Sequence, residues 1–309
     1  MNNKEFNSDD ASLSVDLSEA RQAVKENRFQ DALVLFEIIL KDDPNHIDSL
    51  YLASVSSRYL KKFDDSKKFI ERLMTIAPDM GRAYQELGHI YRDMGDETKS
   101  VIHYRQACEL NPALLASWSL LYKYFTKKNN QPAADHARAQ IEKLQSLPPA
   151  LLYIDQIMNE GRLGLAERQC RAFLKKNPTH TYAMSLLSEI ANRLGYFDDA
   201  EFLLQKAVEF EPNDGDLRMK YATILRKKQK FAKTMEQVNI LCDQFPDNHA
   251  YQAHKASEIM QNGDHEEAIK LLDNIIEKNP YNFSTFTSKG HAQKTLGQTD
   301  QAIQSYQSA

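Results

Sequence analysis

Along residues 81–112 the apolar positions fall into two stripes. Tyr84, Leu87, Gly88 and Tyr91 stand at offsets of three, four and seven, the interval at which side chains share one face of an α-helix. Ser100, Tyr104 and Ala107 carry a second stripe, which Asn111-Pro112 ends. Between the two, Gly95 interrupts the periodicity and Asp96 offers an oxygen that can cap a new helix start. The segment predicts a helical hairpin. Its small residues, Gly88, Ser100 and Ala107, let two helices approach, and Tyr84, Leu87, Tyr91 and Tyr104 fill the space beside them.

The hairpin recurs. Pro44, Pro78 and Pro112 follow one another at intervals of 34 residues, as do Pro178, Pro212, Pro246 and Pro280. The 66 residues from Pro112 to Pro178 are two short of a double period and predict an irregular repeat between them. Gly95, Gly161, Gly195, Gly263 and Gly297 share one repeat coordinate, where a short turn favours a backbone freed from a Cβ. In the second repeat, Asp64 is the expected cap between helices.

On these residues the chain resembles the tetratricopeptide repeat, whose pattern is an aromatic, Leu-Gly, Tyr, Ala, an aromatic, Ala and Pro. The resemblance implies an all-α, right-handed superhelical solenoid of about nine helical hairpins, the last of them truncated. Residues 1–12 read as a solvated tail, 13–146 as a subarray of repeats one to four, and 147–309 as a subarray of repeats five to nine. The boundary is set at Pro148-Pro149, because proline neither continues a helix nor leaves the residue before it free.

Composition narrows the function. The chain has 309 residues, 42% of them apolar, which in a repeat array makes one thin continuous core. A net charge of −4 gives no overall basic footprint, so nucleic acid is not an expected partner. No apolar run approaches the length of a membrane span, and MNNKEFNSDDAS lacks the basic and apolar regions of a secretory signal. No membrane association and a cytoplasmic location are the resulting expectations. Cys108, Cys170 and Cys242 fall on second helices of separate repeats and read as reduced core thiols rather than a disulfide frame.

Reaction chemistry finds no foothold. There is no GxxxxGK loop, GxSxG turn, HExxH helix or CxxC pair. His89 and His103 stand on different helices, and the Asp64-Asp65 and Asp198-Asp199 pairs open second helices, where capping and the helix dipole account for them. No catalytic residue, metal or cofactor is assigned.

The resemblance places recognition on the inner face, built from set positions of the first helices. There the chain carries Tyr51, Arg58, Tyr59, Arg82, Gln85, His89, Arg92, Lys123 and Lys127, and further along Glu189, Asn192, Arg193 and Arg226. Cations outnumber carboxylates, so the expectation is a concave groove for an extended or acidic protein or peptide segment. Arg58, Arg82, Arg92 and Lys123 form its strongest cluster, with Tyr51 and Tyr59 as flat apolar contacts. The sixth place of repeats two to six holds Leu52, Glu86, Leu120, Leu152 and Leu186, which departs from the Lys and Asn pattern of family members that clamp chaperone termini.

Asn279 to Ala309 resembles the last repeats before the catalytic region of bacterial tetratricopeptide-repeat sulfotransferases. That implies a domain beyond residue 309 transferring sulfonate from a nucleotide donor, with this array positioning substrate or dimerising; the donor-binding loop has no counterpart in these 309 residues. The chain stops within a second helix, around Ile303 and Tyr306, so the end is expected either to continue or to be covered by a partner, including a homodimer. The leading expectation is a non-catalytic binding scaffold.

Overall fold

The computed structural model describes residues 17–280 and 282–309; the tail predicted over 1–12 and the first residues of repeat one lie outside them. The described residues form eighteen α-helices and no strand, in nine successive pairs. The pairs are α1 (Leu17–Lys25) with α2 (Phe29–Asp42), α3 (Ile47–Tyr59) with α4 (Phe63–Ile76), and α5 (Gly81–Asp93) with α6 (Glu97–Leu110). Next come α7 (Leu115–Lys127) with α8 (Gln131–Gln145), α9 (Pro149–Asn159) with α10 (Leu163–Lys176), and α11 (Thr181–Arg193) with α12 (Phe197–Phe210). The last are α13 (Gly215–Lys227) with α14 (Phe231–Gln244), α15 (His249–Gln261) with α16 (His265–Lys278), and α17 (Phe283–Thr295) with α18 (Thr299–Gln307). The fold is the all-α array of helical hairpins that the periodicity predicts.

The turn inside each pair uses one backbone device. Gly95, Gly161, Gly195, Gly263 and Gly297 all take positive φ, with open space where a Cβ would be. In the four pairs without that glycine the same left-handed residue is Asn27, Lys61, Asn129 or Gln229, with φ between 54° and 60°. A side chain there is tolerated because the connection has no other way to reverse in so few residues. Asp96 caps α6 as expected, accepting from the Lys99 backbone N–H. Asp64 does not cap α4: Lys62 holds that position without a side-chain bond, and Asp64 lies in the first turn, where its charge faces the helix dipole.

Two compact units divide the chain, one reaching to Ala166 and one from Glu167 to Ala309. The division does not fall at Pro148-Pro149. α9 stays with the first unit because its far end bonds back onto the loop before α7: Gln156 donates to the Ala113 carbonyl at 2.9 Å, and Asn111 donates to the Gln156 carbonyl at 3.2 Å. In the first unit Ala20, Ala32, Phe36, Leu50, Ala53, Ile70, Leu73, Ala83 and Ile90 form one buried cluster, alternating large with small. The second unit repeats the arrangement with Ala200, Leu204, Ala207 and Leu225, then Ala256, Ala268, Leu272 and Ile275. The three cysteines are free thiols; burial pushes Cys108 and Cys170 up to about 12.

Candidate functional site

Within each unit the first helices of neighbouring pairs are joined side chain to side chain. In the first unit Arg21 of α1 meets Asp48 of α3, Arg58 of α3 meets Glu86 of α5, and Gln85 of α5 donates to Ser117 of α7 at 3.0 Å. In the second, Lys220 and Lys227 of α13 donate to Ser185 and Asn192 of α11 at 2.8 Å each, and Arg226 donates to Glu258 of α15 at 2.7 Å. The first-helix residues singled out from the sequence are thereby brought together in two sets. Most are partners of one another or of the chain.

Arg58 is buried. Its Nε donates to Glu86 at 2.6 Å and its Nη1 to Asp93 at 2.9 Å, and the guanidinium lies over the Tyr59 ring, 4.6 Å from its centre. Burial works against the charge, but the bonds and charge of Glu86 and Asp93 outweigh it and raise the guanidinium pKa. Burial lifts the Glu86 carboxyl while Arg58 pulls it back. Tyr59 remains 56% exposed on its outer edge, with its ring stacked on Phe29 at 4.3 Å.

Arg82 lies over the Tyr51 ring at 4.6 Å and donates to Glu160, the residue that closes α9, at 3.3 Å. The Glu160 side chain is only 2% exposed, its other oxygen has no hydrogen-bond partner, and burial raises its pKa against the pull of Arg82. The chain thus places its own carboxylate where an acidic partner was expected. Arg92 forks onto Asp93 at 2.8 and 3.0 Å, and Lys127 donates to Glu97 at 2.7 Å. Lys123 is exposed. In the second unit Arg193 donates to Glu189 at 2.9 Å and Asn192 to the same carboxylate at 3.3 Å, while Arg226 covers the Phe231 ring at 4.8 Å.

The buried carboxylates Glu86, Glu160 and Glu258 are what sequence reading missed as partners. Glu86 had a signal: it stands alone at a place where Leu52, Leu120 and Leu186 hold the equivalent position. A charge at an apolar register is retained when a second charge reaches it. Among the described residues no three His, Cys, Asp or Glu side chains gather as a metal would require, and no helix is long and apolar enough to cross a membrane.

His89 donates to or accepts from the Tyr104 hydroxyl at 2.7 Å with the rings edge to face, and a Cβ on Gly88 would meet the same ring at 2.7 Å. In the last pair His291, Tyr306 and Gly290 repeat this arrangement, with a 3.0 Å bond and a 2.6 Å approach. The family model of the tetratricopeptide repeat matches these same two segments, residues 81–114 and 283–309. Among solved structures the chain is similar to the crystal structure of MamA, at 17% identity over 50% of this chain and 91% of that one, with a TM-score of 0.45. It is also similar to the crystal structure of the APC/C hetero-tetramer Cut9-Hcn1, at 16% identity over 89% of this chain and 55% of that one, with a TM-score of 0.41.

Proposed function

We propose that the first-helix face of the residue 17–166 unit is a non-catalytic docking surface for an extended protein or peptide segment carrying acidic residues. One observation carries the reading: α1, α3, α5 and α7 are stitched directly to one another by side chains, making a continuous polar surface on helices held rigid by their buried opposite faces. Such a surface can read a chain laid across it without rearranging. Arg58 contributes to the surface's construction rather than to contact, since its charge is spent on Glu86 and Asp93. Contact falls to the exposed groups, Tyr59 and Lys123, and to Lys127 and Arg92, which are exposed while paired with Glu97 and Asp93.

The test is fluorescence anisotropy with a fluorescein-labelled oligoglutamate peptide at low salt. Changing Lys123 and Lys127 together to Glu should weaken binding on the order of ten-fold, the sum expected of two exposed charges, with helicity unchanged. Equal affinity of the variant and the original chain would discard the surface.

A further inference from the structure

The fourth pair of helices departs from its neighbours on the second-helix side. α8 carries Ala133 where six of the other second helices carry Asp31, Asp65, Lys99, Asp199, Lys233 and Glu267, while α10 carries Leu165 and α18 carries Gln301. It carries Ala137 where α2, α4, α6, α12 and α16 carry Leu35, Phe69, His103, Leu203 and Leu271, and where α10 and α14 carry Gln169 and Gln237. In the third pair His103 lies flat on Tyr91, with ring centres 5.3 Å apart. The counterparts in the fourth are Ala137, which is fully buried, and Phe125, which lines the cavity. A cavity of about 620 Å³ opens between α6, α7 and α8, a size that accommodates a small molecule.

Its floor is apolar and unreactive, while Asn130, His136 and Gln140 add polar groups to the lining. Cys108 and Leu121, 3% and 1% exposed, form the floor, and Trp118 and Phe125 stand as walls. The Trp118 indole N–H is already donated to the Pro112 carbonyl at 2.9 Å, and His136 meets the indole edge-on at 5.5 Å. Burial keeps the Cys108 thiol protonated, so the floor carries no charge. Such a slot takes a flat apolar group.

The mouth is different. Arg105 and Glu109 line it, both exposed and one turn apart on α6. That spacing permits an ion pair, yet among the described residues neither side chain forms one, whereas Arg58, Arg82 and Arg92 are all paired. A cation and an anion left available side by side above an aromatic slot match a zwitterion. The carboxylate would go to Arg105, the ammonium to Glu109, and the ring between Trp118 and Phe125.

We propose that this cavity binds a free aromatic α-amino acid. Trp118 lines this cavity and is the one tryptophan of the chain, so its emission serves as the readout. The probes are L-phenylalanine, 3-phenylpropionate, which lacks the ammonium, and 2-phenylethylamine, which lacks the carboxylate. L-phenylalanine should change the emission saturably and bind about ten-fold tighter than either analogue, the worth of one charge-assisted contact. Arg105→Gln should reduce L-phenylalanine to the affinity of 2-phenylethylamine, and Glu109→Gln to that of 3-phenylpropionate. Ala133→Leu, at a half-buried position that tolerates added volume, should abolish the response while circular dichroism stays unchanged. Three results would each overturn the proposal: no saturable response at millimolar L-phenylalanine, equal affinity for all three probes, or a response that survives Ala133→Leu in a folded chain.

Discussion

Arg58 and Glu86 form an ion pair at 2.6 Å in which the side chains are 8% and 2% exposed, so it is a buried link between α3 and α5 rather than a surface contact. Two charges taken this far out of water are stable only while both are present. Asp93, at 2.9 Å from the same guanidinium and 28% exposed, keeps part of its hydration and depends on the link less.

Arg58→Met should therefore lower unfolding stability by about 3–5 kcal/mol, because it strands the Glu86 carboxylate, and Arg58→Met with Glu86→Leu should recover most of that loss. Urea unfolding of the two variants checks this. A loss under about 1 kcal/mol in the single variant would show that the pair is solvated after all.

Gly88 and Gly290 make a matched comparison. An added methyl would come to 2.7 Å from the Tyr104 ring and 2.6 Å from the Tyr306 ring, but Tyr104 is 2% exposed and Tyr306 is 37% exposed. Gly88→Ala should cost about 1–3 kcal/mol, as overpacking does where nothing can yield. Gly290→Ala should cost clearly less, since the Tyr306 ring has solvent to move into. Equal losses by urea titration would contradict this account.

His89 makes stability depend on acid. Burial, reinforced by the Arg58 and Arg92 charges and opposed by Asp93, holds its imidazole down to about 4 against an ordinary 6.5. The unfolded chain thus binds a proton that the folded chain refuses. The contribution is fully present above about pH 6.5 and is lost as pH falls toward 4. In His89→Gln that decline should be shallower. The same carboxylates are present in both chains, so the difference between their stability curves over this window reads the imidazole; coincident slopes would refute the assignment.

Much of the molecule is legible in the amino-acid sequence. The stripes at Tyr84, Leu87 and Tyr91 and at Tyr104 and Ala107 marked α5 and α6, and Gly95 marked their turn, because each depends on residues a few positions apart. Asp64 misled for the same local reason: an aspartate near a helix start reads as a cap, but α4 begins one residue earlier and the cap position falls on Lys62. The cationic cluster of Arg58, Arg82 and Arg92 was visible as residue types, whereas its partners were not. Glu86 lies 28 residues from Arg58, and Glu160 lies 78 from Arg82.

Periodicity alone thus determined the helices, their pairing and the small-against-large packing of the core, since helical geometry repeats every few residues and leaves its interval in the chain. Tertiary structure decided which charges are spent and which remain available. It turned Arg58 inward to Glu86, gave Arg82 the chain's own Glu160, and left Lys123 and the Arg105–Glu109 mouth open to solvent. The physical reason is that a charge is neutralised by whatever lies within a few ångströms of it, and that distance is set by how successive helices stack and by where α9 folds back.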